Sequence, residues 1–206
     1  MGLIANILLL SSLVTAQFVP QDKDYIWIDT WHDPTVGIPD ADRVMYFSTK
    51  RYGWPLTDDP ADDQAVYYNM IRSAENWIRV ECSDFEFRMD SPIFREQIYT
   101  TYKDGKSYLT WREEDTNSVY VFMDEGNREA DIVIGTAYNW CFKGDIEPDE
   151  YDLETVYTHM YGHALGLSHS NNPESVMYPF LYEGQTKREL TEEDIENLCD
   201  LYKAND

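Results

Sequence analysis

The chain has 206 residues, of which 43% are hydrophobic and 15% aromatic, enough for one domain with its own core. Its formal net charge of -23 at pH 7 argues against nucleic acid and anionic membrane surfaces as partners, because their phosphates would repel the protein. Cationic partners or calcium are compatible with this charge.

An apolar stretch at the N-terminus predicts a signal peptide over residues 1–16. Residues 3–14 are predominantly apolar, and Val14-Thr15-Ala16 is typical of a cleavage site. The stretch is too short to span a bilayer, and no later segment is long and apolar enough to do so. A buried N-terminal helix is the alternative. We therefore predict a secreted, extracellular protein with no membrane span.

Residues 17–42 are rich in Asp and Pro and are predicted to form an irregular linker or pro-segment before a single domain of residues 43–206. A long amphipathic helix is predicted over residues 65–80, whose apolar side chains recur at helical spacing. Residues 140–151 are predicted to be a loop. Alternating or continuous apolar runs predict strands over residues 43–49, 85–89, 97–102, 107–111, 118–123 and 130–134.

Two of these runs carry further information. The Asp104-Gly105 dipeptide predicts a hairpin between the 97–102 and 107–111 strands. The almost entirely apolar run 130–134 predicts a central strand, which is buried on both faces.

Two more helices are predicted from their end signals. The first covers residues 153–165, with Asp152 as its N-cap and Gly166 at its end. The last covers residues 191–202 and is capped by Thr191, with Asp194 three residues further on.

Three of the four His residues lie in the pattern H-x-x-x-H-x-x-G-x-x-H. His159 and His163 are four residues apart, so both imidazoles lie on one face of the helix. Gly166 permits a sharp turn that brings back His169. Three neutral imidazoles leave one tetrahedral position of a zinc ion open, which is typical of catalytic rather than structural sites.

The segment around this pattern resembles the metzincin zinc signature in its matrixin (matrix metalloproteinase) version. The resemblance rests on Gly166-Leu167, on Ser170 after the third His, and on Val176 to Pro179 (VMYP). It implies an α+β catalytic domain, with a mixed twisted sheet, a long helix, a zinc-binding helix, a Met-turn and a C-terminal helix. It also implies a Met-turn at Met177 beneath the zinc, and a substrate pocket bordered by Tyr178 and Pro179.

One residue departs from the family pattern at the position that carries the chemistry. Metzincins have Glu directly after the first His, and here that position is Met160. The family Glu moves a proton from the attacking water to the leaving amine, whereas a thioether has no proton to give and is a very weak acceptor. We therefore predict that zinc binding survives and that peptide-bond hydrolysis is weak or lost.

Other departures concern latency, calcium and cysteines. Residues 34–40 (PTVGIPD) are similar to the matrixin pro-segment motif, with Val36 in place of its cysteine, but a proline-rich linker explains them equally well. Calcium could bind the acidic run of residues 145–152, although solvated charge at a helix N-terminus explains it better. The sequence does not decide which two of Cys82, Cys141 and Cys199 form a disulfide.

Three hypotheses remain. The first is a secreted, monomeric matrixin homologue that binds zinc and an extended peptide or extracellular protein, with little or no hydrolysis. The second is an active zinc metalloendopeptidase that uses a substitute base. The third is an acidic extracellular binding protein that uses zinc for stability only.

Overall fold

A computed structural model describes residues 25–30, 44–50, 60–83, 85–89, 107–112, 119–124 and 129–202. The predicted signal peptide, the 34–40 segment and the 97–102 strand with its hairpin lie outside the described residues.

Three helices and nine strands make up the described part of the chain. The helices are α1 (Pro60–Ile78), α2 (Leu153–Ala164) and α3 (Glu192–Leu201). The strands are β1 (Tyr25–Thr30), β2 (Val44–Lys50), β3 (Glu86–Met89), β4 (Ser107–Arg112), β5 (Val119–Asp124), β6 (Glu129–Gly135), β7 (Trp140–Cys141), β8 (Tyr151–Asp152) and β9 (Phe180–Tyr182). None of the described helices combines the length and apolar character needed to cross a membrane.

Seven of the strands form one mixed sheet in the order β3-β2-β4-β6-β5-β1-β9. β2 is parallel to β3 and β4, and β4 is parallel to β6, whereas β5 runs antiparallel to β6. β6 is buried along its whole length, as its apolar sequence predicts for a central strand. A mixed sheet with separate helices confirms the predicted α+β fold.

Two regions predicted to be irregular contain short strands. β1 lies in the 17–42 segment, where it runs parallel to β5 and antiparallel to β9. β7 and β8 pair with each other across the predicted 140–151 loop. Each of these strands depends on pairing with another segment, which the sequence pattern alone does not reveal. Helix α1 begins earlier than expected, at Pro60, since proline is favoured in the first turn of a helix.

Helix α1 packs directly against α2 and fixes its position. Trp77 Nε1 donates a hydrogen bond to Thr158 O at 2.9 Å, and Ser73 Oγ donates one to Glu154 O at 2.9 Å. All twelve residues of α2 are buried, so the helix is part of the core on every side. A Cys82–Cys199 disulfide joins the end of α1 to α3, and Cys141 is a buried free thiol.

The N-terminus of α2 is held by a buried carboxylate that receives four hydrogen bonds. Asp152, the N-cap, accepts from Thr155 N at 2.9 Å and from Thr155 Oγ1 at 2.6 Å. Arg188 binds the same carboxylate with two donors, Nε at 2.9 Å and Nη2 at 2.5 Å. This fork ties the start of α2 to the segment that leads into α3.

The fork between Arg188 and Asp152 should contribute measurably to stability. Arg188→Met leaves a fully buried carboxylate without its cation, so we expect the free energy of unfolding to fall by about 3 kcal/mol. Arg79→Met is the matched control, because Arg79 is 72% exposed and pairs with Glu75 at the surface, where the loss should stay below about 1 kcal/mol. Urea unfolding measures both variants, and equal losses would contradict the role given to the fork.

Candidate metal centre

Helix α2 ends in a turn that only glycine forms without strain. Gly166 has φ of 90°, and its N–H donates to His163 O at 2.8 Å. Leu167 N donates to Gly162 O at 2.9 Å, which completes a Schellman motif. The turn predicted at Gly166 therefore exists, and it places the carbonyl of Leu167 beside the helix that the chain has just left.

Two main-chain carbonyls orient the imidazoles of His159 and His163. His159 Nδ1 lies 2.6 Å from Val176 O, and His163 Nδ1 lies 2.8 Å from Leu167 O. Because a carbonyl only accepts, each Nδ1 carries the hydrogen. In the neutral rings both Nε2 atoms are then unprotonated acceptors. This arrangement is typical of metal-ligating histidines.

The structure brings the three predicted His ligands together. His159 Nε2 lies 2.8 Å from His163 Nε2, which lies 3.1 Å from His169 Nε2. His159 and His163 are buried, and His169 is half-buried. Within the part of the chain that the structure describes, this is the group of side chains that could hold a metal ion, and it contains no carboxylate.

The electrostatic environment favours the neutral form of His159. Burial lowers the pKa of His159 well below its ordinary value, and repulsion from His163 and His169 lowers it further. A neutral imidazole with an exposed lone pair is the form that binds a metal. Two lone pairs 2.8 Å apart repel each other, and a cation between the rings removes that repulsion.

The turn around Met177 lies beneath the metal-site helix. Met177 is buried and its Sδ faces Gly162 of α2, where a side-chain Cβ would collide with it. The turn is tied to the site from the other direction, since Ser170 N donates to Met177 O at 2.9 Å. Tyr178 and Pro179 follow directly and are half-buried. Their place at the border of a substrate pocket stays a prediction.

A buried carboxylate on α3 supports the same turn. Asp194 accepts from Ser175 Oγ at 2.5 Å and from Val176 N at 3.2 Å, and it completes the capping box with Thr191. Val176 in turn provides the carbonyl that orients His159. The sequence predicts Asp194 only as part of a helix cap. Its hydrogen bond from Val176 N joins residues 18 apart, so local spacing does not indicate it.

Met160 is fully buried and belongs to the hydrophobic core. Glu154, the nearest acidic residue on the same helix, accepts hydrogen bonds from Arg72 at 2.9 Å and so already has a partner. The acidic residues of the 145–152 run do not form a cation site with one another among the described residues, since Asp152 caps α2 and Glu150 accepts from Glu147 N.

Comparison with known proteins identifies the family. The model of the matrixin family matches residues 49–203, which is most of the chain. The chain belongs to the matrixin family.

Individual matrixins show the same relationship. Matrix metalloproteinase-26 of Homo sapiens is 43% identical over 190 residues, which cover 83% of this chain and 67% of the human protein. Metalloendoproteinase 2-MMP of Arabidopsis thaliana is 43% identical over 72 residues, which cover 32% of this chain and 19% of the plant protein. Metalloendoproteinase 1 of Glycine max is 36% identical over 70 residues, which cover 32% and 23%. The matched stretches thus span about a fifth of the plant proteins.

The contact between Gly162 and Met177 predicts the effect of a small substitution. A Cβ at Gly162 would meet Met177 Sδ and, at 2.9 Å, the rigid ring of Trp77. Gly162→Ala should therefore lower the free energy of unfolding by about 1 to 2 kcal/mol. This loss outweighs the gain of about 1 kcal/mol that Ala brings to an ordinary helix.

The matched variant removes the collision from the other side. In Met177→Ala, the second substitution Gly162→Ala should cost less than it does alone, because space has been made. Thermal or urea unfolding of the two single variants and the double variant measures this coupling. Strictly additive losses would show that the two residues do not compete for space.

Proposed function

We propose that this matrixin binds one zinc ion through His159, His163 and His169, and that it hydrolyses peptide bonds weakly or not at all. Zinc binding is supported most strongly by the convergence of three Nε2 atoms. In His159 and His163, Nδ1–H donates to a main-chain carbonyl, so Nε2 of the neutral ring carries no hydrogen. The observation that supports weak hydrolysis is Met160, which stands where the family carries its proton-transferring Glu.

The ligand set fits zinc rather than a harder cation. Zinc takes imidazole nitrogens at about 2.0 to 2.1 Å, and nitrogens around 3 Å apart can share one such ion. Calcium and magnesium require oxygen ligands, which the cluster does not contain within the described residues. A bound zinc ion acts as a Lewis acid that polarises a carbonyl and lowers the pKa of water.

The residues around the ligands explain why the metal site and hydrolysis are separable. His159 and His163 are oriented by carbonyls of Val176 and Leu167, and neither contact involves residue 160. Proton transfer to a leaving amine, by contrast, needs a side chain that can accept and release a proton. Met160 performs neither step, and Glu154 is bound to Arg72.

An extended peptide is the partner that the sheet favours. One extended strand, the chain's own β1, lies between β5 and β9 and pairs with both of them. β9 directly follows Tyr178 and Pro179, the residues that the resemblance assigns to the substrate pocket. A peptide of another protein could pair with the same strand edges after displacing β1. We further propose that the protein is a secreted monomer, in keeping with its predicted signal peptide.

Loss of one ligand should abolish zinc binding without unfolding the protein. His169 is half-buried, so His169→Gln is better tolerated than a change at either buried ring. We expect its zinc affinity to fall by more than about a hundredfold. The control is the same substitution in the remaining histidine, His32→Gln, which should bind zinc normally. Elemental analysis and calorimetric titration measure both; wild-type protein without near-stoichiometric zinc would end the proposal.

Restoring the carboxylate should restore hydrolysis. Met160→Glu returns a group that can transfer a proton, and we expect cleavage to rise by about 10² to 10⁴-fold over wild type. Met160→Gln is the matched control, since Gln is polar and has nearly the size and shape of Glu but transfers no proton. A quenched-fluorescence peptide assay at equal zinc content compares the three proteins.

The possible results of that assay separate the three hypotheses. Increased cleavage by Met160→Glu alone supports a matrixin that lacks hydrolytic activity because residue 160 is Met. Substantial and equal cleavage by all three proteins would instead favour an active enzyme with a substitute base. Zinc binding without cleavage by any of them would favour zinc as a purely stabilising ion.

A further inference from the structure

Lys187 lies on the segment between β9 and α3, where it contacts the metal-site helix and the residue after Met177. Its main-chain N–H donates to Thr155 Oγ1 at 2.7 Å, which ties it to the first turn of the metal-site helix. Its Nζ lies 4.5 Å from the ring centroid of Tyr178, within the range of a cation–π contact. The side chain therefore reaches from the start of α2 to the residue after the Met-turn.

Lys187 differs from the other cations in the described part of the chain. Four of the five described Lys and Arg side chains have a salt bridge to a carboxylate, and Lys187 alone has none. The five are Arg72, Arg79, Lys143, Lys187 and Arg188. In a chain with 39 acidic residues, an ammonium without a carboxylate partner is unusual, and a half-buried one is costly unless something binds it.

Lys187 is half-buried, so its ammonium is partly removed from water. Partial burial lowers the pKa of Lys187 itself, and the carboxylates of Glu174 and Asp194 oppose that change. Asp194 accepts hydrogen bonds from Ser175, Val176 and Thr191, and neither it nor Glu174 forms a salt bridge with the ammonium.

We propose that Lys187 is a specificity-determining residue that binds a carboxylate group of a peptide lying next to the metal centre. The inference rests on the proposed zinc site and names the ligand chemistry that this site prefers. A divalent cation bound by the ligand rings and the ammonium of Lys187 would both attract an anion. A ligand anion placed between the metal and the ammonium would gain a charge-assisted hydrogen bond from Nζ.

The carboxylate could come from an acidic side chain or from the end of a peptide, and three short probes distinguish these sources. All three are acetylated Gly-Gly tripeptides. One ends in Glu amide and has a side-chain carboxylate, one ends in Gln with a free terminal carboxylate, and one ends in Gln amide and is neutral. The full-length protein is loaded with cobalt, whose visible absorption spectrum reports ligands that bind at or next to the metal.

Wild-type protein should bind at least one carboxylate probe more tightly than the neutral probe. Lys187→Met should weaken that probe by about tenfold and leave the neutral probe unchanged, whereas Lys187→Arg should keep most of the preference. Arg79→Met is the charge-matched control, because it removes one positive charge at an exposed position. The source of the carboxylate is the probe whose affinity falls in Lys187→Met.

Each other outcome overturns the inference in a recognisable way. Equal affinity of the wild type for all three probes, or no binding of any, would refute carboxylate recognition while leaving the metal site intact. Equal weakening of all probes in Lys187→Met would assign Lys187 a structural role. Failure of the wild type to bind cobalt or zinc would refute the proposed function itself.

Discussion

The candidate centre depends on two hydrogen bonds from imidazole nitrogens to main-chain carbonyls. His159 and His163 each donate Nδ1–H to a carbonyl, from Val176 and Leu167, and this leaves their Nε2 atoms bare and pointing at one another. Removing either carbonyl would free a ring to rotate or to change tautomer, and the nitrogens would no longer converge. The two buried lone pairs repel each other, and a cation bound between them would remove this repulsion.

The surrounding scaffold holds those two carbonyls in place. The carbonyl of Leu167 is placed by the Schellman turn at Gly166. This turn requires a residue that adopts positive φ without strain. The carbonyl of Val176 belongs to the turn that Asp194 supports from α3. Helix α2 itself is fixed at its start by Asp152 and Arg188, and along its length by α1. Elements distant in sequence thus converge on one pair of rings.

Metal binding and proton transfer make separate demands on this scaffold. The carbonyls that orient His159 and His163 belong to Val176 and Leu167, so the proposed loss of the general base at residue 160 leaves both of them in place. What such a centre then favours is set by charge. In the proposed centre, a divalent cation and the ammonium of Lys187 would attract an anion, whereas the carboxylate of an active matrixin would offset part of that charge. β1 shows in addition that an extended backbone fits between β5 and β9.

The sequence by itself determined the α+β class, the long helix, the central strand, the caps Asp152 and Thr191, and the His pattern with its missing Glu. These features depend on local spacing and on residue chemistry that is visible along the chain. Only the tertiary structure decided that Cys82 pairs with Cys199, that β1 lies between β5 and β9, and that Arg188, Asp194 and Lys187 adjoin the metal-site helix. Each of these depends on which distant segments meet when the core forms, and no local periodicity encodes such a meeting.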